Sequence, residues 1–148
     1  KADLEALGPP APSLAQPSNA WNAALQALAI EAGYALASTG YPVTPPYHEA
    51  YPLPNAMNLQ RSISISSQGP PTADVTNWIQ QAVAARAWLT LLFHNVRNVN
   101  EAYSTSTTMF AEIVAQVAMS GAEVVSLYDG LWGTAKAPTL YDAAAITL

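Results

Sequence analysis

The chain has 148 residues, of which 51% are hydrophobic and only 10% charged, with five basic against ten acidic side chains and no cysteine. That length suits one domain, or part of a larger one, with a real core. The scattered cations Lys1, Arg61, Arg86, Arg97 and Lys136 make no patch able to neutralise a phosphate backbone, which argues against nucleic acid as a partner, and the lack of cysteine excludes disulfides, thiolate nucleophiles and cysteine-ligated zinc.

The first residues, Lys1 to Gly8, read as a short helix stopped by glycine, which is how the middle of a domain looks; they lack the apolar run and cleavage site of a signal peptide. From Ser18 to Gly33 the spacing of Trp21, Leu25, Leu28 and Ala29 predicts a helix capped by Ser18 or Asn19. Gly33 stops it. Residues 34–38 suit a short buried strand. A loop follows from Thr39 to about Leu59, where Pro42, Pro45, Pro46, Pro52 and Pro54 exclude helix interior and central strand. The alternation Arg61-Ser62-Ile63-Ser64-Ile65-Ser66 predicts a half-buried strand.

After Gly69-Pro70-Pro71, residues Thr72 to Arg86 place Val75, Trp78, Ile79, Ala82 and Val83 on one helical face. The apolar run Trp88 to Phe93 reads as a parallel strand covered on both faces. Like the other apolar runs, it falls far short of the roughly 20 residues of a bilayer span, so no membrane span is predicted. Ser104-Thr105-Ser106 reads as the lead-in to a helix over Thr107–Ser120, with Phe110, Ile113, Val114 and Val117 as its core face and Gly121 as its stop. Glu123 to Leu127 is predicted as a strand and Tyr128 to Leu131 as a further helical turn. The order of helices and strands predicts an α/β architecture with mostly parallel strands.

Sites in such folds gather at the carboxyl ends of parallel strands. His94 stands at one, between the apolar Leu92-Phe93 and a polar loop carrying Asn95, Arg97, Asn98 and Asn100. A histidine there can exchange protons near neutral pH; a histidine that merely ends a strand and bonds to a loop carbonyl is the plainer reading. Trp21 and Tyr47 are candidate sugar contacts beside the neighbouring Tyr41 and Tyr51, since aromatic faces suit the C–H surfaces of pyranose rings. Ordinary packing accounts for the same residues. His48-Glu49 and His94 show no metal-ligand spacing, and no metal ligands are predicted in this segment.

The block from Trp88-Leu89-Thr90-Leu91-Leu92-Phe93-His94-Asn95-Val96 through Tyr103-Ser104-Thr105-Ser106 and Phe110 to Gly121-Ala122-Glu123-Val124-Val125-Ser126-Leu127 resembles the end of a polysaccharide deacetylase domain. This is the NodB-homology group, carbohydrate esterase family four. Upstream, Gln16-Pro17-Ser18-Asn19-Ala20-Trp21-Asn22 and Ala32-Gly33-Tyr34-Ala35-Leu36-Ala37 are similar to the family's proline turn and the strand after its helix.

The resemblance implies that residues 1–132 are the carboxyl-terminal half of a distorted (β/α) barrel, with a tail of uncertain structure at 133–148. It implies that Leu92 lines the pocket for the acetyl methyl group and that His94 is the general acid that protonates the leaving amine. It also implies a glycan substrate, a secreted or cell-surface location, and a divalent metal, zinc or similar, in the complete domain. None is expected to be bound by this segment alone. The family's metal-binding elements precede the equivalent of Ala2, so the amino-terminal half of the domain, in the same or a separate chain, is the implied partner. The chain departs from the family in having Gln16 before the proline, where members often carry an aromatic residue or an arginine, and Ser18-Asn19 after it, where they often carry Tyr-Gly, so the arginine that would orient the catalytic aspartate is absent or lies elsewhere. That departure favours the alternative of a catalytically inactive, glycan-binding relative.

Overall fold

The computed structural model describes residues 6, 13–17, 20–38, 45–53, 56–58 and 62–132. The helix read at 1–8 (Ala6 apart), the caps Ser18 and Asn19, Tyr41, Arg61 and the tail 133–148 lie outside the described residues. In chain order the elements are β1 (Ser13–Ala15), α1 (Ala23–Glu31), β2 (Leu36–Ser38), a 3-10 turn (Ala56–Asn58), β3 (Ser62–Ile65), α2 (Thr72–Ala85), β4 (Thr90–Phe93), β5 (Asn95–Val96), β6 (Ser104–Thr105), α3 (Thr107–Ser120) and α4 (Leu127–Trp132). Strands and helices alternate as predicted. The strands pair in three parallel ladders, β1 with β2, β3 with β4 and β5 with β6. The described residues form no closed barrel.

Helix α2 and helix α3 cover the same face of the β3/β4 ladder. On that face Ile63 and Ile65 of β3 meet Val75 and Ile79 of α2 and Ile113 of α3, with Leu91 and Phe93 of β4 packed against them. Because side chains alternate along a strand, the opposite face carries Ser64, Thr90 and Leu92, and Leu92 is 40% exposed. That face of β4 is therefore open at Leu92 and half-buried at Thr90. The apolar run reads as doubly buried because Leu92 is as hydrophobic as its neighbours, and hydrophobicity alone does not say which face is covered.

The two long helices begin and end by local chemistry. Ser106 caps α3, its Oγ accepting from the Met109 N–H at 3.1 Å, and Gly121 ends it at φ 75°, a left-handed geometry that suits glycine. Helix α2 follows Pro71, whose carbonyl accepts from the Asp74 N–H at 3.0 Å. Its end is unusual, since Arg86 takes the left-handed position at φ 50° and the Ala87 N–H closes back on the Ala82 carbonyl at 2.9 Å.

Helix α1 starts later than the spacing predicts. Asn22 is its cap, its Oδ1 accepting from the Leu25 N–H at 2.9 Å, so Trp21 precedes the helix. Gly33 at φ 81° does terminate it, with the Gly33 and Tyr34 N–H groups returning to Ile30 and Ala29.

Three further expectations are corrected. Residues 122–126 are irregular and α4 begins at Leu127; the β-forming letters of 123–127 meet no partner strand among the described residues, and Val124 is exposed. Val83 of α2 and Val114 of α3 are exposed too, because each lies on the flank of its apolar stripe rather than at its centre. Ser104 and Thr105, read as a lead-in, form β6 and are buried. Among the described residues no helix is long and apolar enough to cross a membrane.

Candidate functional site

The candidate site is the carboxyl end of the β3/β4 ladder. The register Ser64↔Leu92 and Ile65↔Phe93 brings the loop after β3 beside the loop after β4. Both loops are tied to β6. The Thr105 hydroxyl donates to the Ile65 carbonyl at 2.8 Å in a fully buried position. The Ser67 N–H donates to the Ser104 carbonyl at 2.8 Å, and the Ser67 Oγ accepts from the Ser106 N–H at 2.9 Å.

The polar residues after His94 are consumed by this scaffold. Asn95 pairs with Ser104 in the β5/β6 ladder and donates from Nδ2 to its Oγ at 3.2 Å. Asn98 Oδ1 accepts from both the N–H and the hydroxyl of Thr107, at 2.9 and 3.0 Å. Asn100 accepts from Gln68 at 3.0 Å, and Arg97 is ion-paired to Glu101 while its N–H donates to the Thr105 carbonyl at 2.9 Å. What reads in sequence as a polar loop is thus a self-satisfied framework.

His94 stands apart from it. The residue follows β4 at a bend and is exposed. Two positions before it, on the uncovered face, Leu92 is exposed as well. Among the described residues the imidazole's partner is the Tyr103 ring, with centroids 5.0 Å apart and planes inclined by 59°. Tyr103 is singled out by the structure alone: its left-handed backbone, φ 65°, has no signature in the letters around it.

The other two candidates are packed into the interior. Tyr47 lies against Trp78 of α2, centroids 4.6 Å apart, as part of the cluster beneath β3 and β4. Trp21 packs against Ala29, Ala37 and Met57 in a second cluster, and its indole N–H is buried without a hydrogen-bond partner among the described residues. Leu92 and His94, two positions apart, are both exposed at the end of β4, and Tyr47 and Trp21 are partly buried against separate clusters.

A second aromatic group lies near the start of β4. Tyr51, half exposed, stacks on Trp88 at 6.4 Å and 17° and donates its hydroxyl to the Gly130 carbonyl at 2.9 Å. Trp88 donates from Nε1 to Thr90 at 2.9 Å and pairs its backbone with Glu49. Six residues of extended chain separate Trp88 from His94, about 20 Å at strand rise, so the two sites are distinct.

Among the described residues no three histidine or carboxylate side chains come together as metal ligands. These residues by themselves do not supply the donor set that a divalent ion needs. The chain matches no protein-family model, no curated protein and no solved structure.

Proposed function

We propose that this chain is the carboxyl-terminal half of a distorted (β/α) barrel that deacetylates N-acetylated polysaccharide, with His94 as general acid and Leu92 as an apolar wall for the acetyl methyl group. The observation that carries this reading is the pairing of an exposed imidazole with an exposed leucine at the carboxyl end of a parallel strand. The neighbouring polar side chains are already bonded to one another, which leaves His94 as the group available for chemistry.

In amide hydrolysis, water adds to the carbonyl carbon and the C–N bond of the resulting intermediate then breaks. The departing amine needs a proton. An imidazolium supplies it from a ring nitrogen, a transfer that histidine side chains make in general acid catalysis. The uncovered face of Ser64, Thr90 and Leu92 would line the barrel interior, and the amino-terminal half of the domain would close over it and bring the metal. A glycan substrate and a secreted or cell-surface location belong to the same reading.

The test uses the complete protein, with its amino-terminal half, on an N-acetylated glucosamine polymer. His94→Ala is expected to lower turnover by about 10²- to 10⁴-fold while bound metal stays unchanged. Near-normal turnover in that variant overturns the assignment. Glycan binding with neither turnover nor metal in the unaltered protein would instead support an inactive binding module.

A further inference from the structure

Tyr103 holds a backbone geometry that its side chain disfavours. A φ of 65° lies in the left-handed region, uncommon for any residue but glycine and an outlier for a bulky aromatic one. Strain of this kind persists only where the surroundings fix the backbone. Here they do. The next residue, Ser104, is buried; its N–H donates to the Glu101 carbonyl at 3.2 Å and its carbonyl accepts from Ser67 at 2.8 Å. Its Oγ accepts from Asn95. Glu101 is in turn ion-paired to Arg97, whose backbone is held by Thr105.

None of these contacts uses the Tyr103 side chain, which is 63% exposed. A ring so exposed adds little to the core. A glycine would satisfy the turn without strain. The side chain's partner among the described residues is the imidazole of His94.

We propose that Tyr103 is a positioning residue for His94: the turn fixes the phenol ring, and the ring holds the imidazole's orientation at the end of the β3/β4 ladder. An imidazole free to rotate would spend much of its time with its N–H directed away from the leaving group. A ring against one side removes part of that freedom, which acts on the chemical step rather than on binding. The catalytic purpose rests on the reading of His94 as proton donor, whereas the ring contact does not.

Two variants and two readouts test it. The chain has two histidines, His48 and His94, so the imidazole proton signals can be assigned by NMR with a His48→Gln reference. Tyr103→Gly is expected to move the His94 ring-proton signals as the ring current is lost, without lowering the thermal midpoint. Tyr103→Phe is expected to keep those signals in place. An unmoved His94 signal in Tyr103→Gly overturns the contact.

In the complete protein, Tyr103→Gly is expected to lower kcat about tenfold, with KM within about twofold, and Tyr103→Phe to retain most of kcat. A moved signal with unchanged kcat overturns the positioning role. Absence of turnover in the unaltered protein overturns the deacetylase reading, and with it the catalytic purpose of the pair; the NMR result is unaffected by that outcome.

Discussion

The β3–α2–β4–α3 region and the β1–α1–β2 region use the same parts, a parallel strand pair with helical cover, and bury them to different depths. In the first, Ile63, Ile65, Val75, Ile79 and Ile113 interlock under a ring of partly buried aromatic and aliphatic neighbours. In the second, the clustered residues are Ala29, Ala37 and Met57, with Leu14, Trp21 and Tyr34 around them and Leu36 buried beside Ala37 in β2, while Leu28 and Ile30 of α1 are 60% and 54% exposed. Branched side chains fill the first cluster, and small or unbranched ones fill the second. The candidate site sits on the deep region. Chemistry that depends on sub-ångström placement belongs on the more rigid support.

Cutting a large side chain from each core breaks the comparison most directly. Ile65→Ala is expected to destabilise the protein by about 3–5 kcal/mol, and Met57→Ala by about 2 kcal/mol, because the shallow cluster can relax into the space left. Chemical denaturation of both variants checks this, and equal losses would mean that the two cores are equally tight.

Gly130→Ala comes next, at about 1–3 kcal/mol. A Cβ at that position would enter the Trp88 ring, so α4 would be pushed off Trp88 and the Tyr51 hydroxyl would lose its carbonyl partner. Loss of the Trp88 near-ultraviolet circular dichroism at unchanged helix content would report it.

The caps give the finest comparison. Ser106→Ala and Asn22→Ala each remove one side-chain bond to a helix N-terminus, about 1 kcal/mol apiece. Hydrogen exchange should show the first loss across the whole deep region, since α3 is packed on α2, and the second confined to α1. A spread of the Asn22→Ala effect into β3 would mean that the regions unfold as one.

Helices α2 and α3 were legible because a period near four in branched residues leaves few alternatives: Val75, Ile79 and Ala82 are buried as the spacing of their side chains requires. Gly33 and Gly121 were legible as stops because each supplies a left-handed residue. Strand β6 was not, since two polar residues become a strand only through a partner nine positions away. The segment 123–127 erred the other way, its valines having β propensity and no edge to join. At the candidate site, sequence singled out His94 and Leu92. It gave no hint that Asn95, Asn98 and Asn100 would bond within the framework, or that Tyr103 would be turned against the imidazole, because both depend on backbone directions that composition does not encode.

The buried bond from the Thr105 hydroxyl to the Ile65 carbonyl has a mechanical consequence. It joins the segment after His94 to the backbone of a fully buried strand residue by a side chain, where an ordinary sheet would use a third strand. The thirteen-residue connection from β4 to α3 is thereby pinned near its far end, while His94 is pinned at its near end by β4 itself. A span fastened at both ends cannot swing as a flap. On the proposed reading, a substrate would meet an imidazole whose backbone is already held in place.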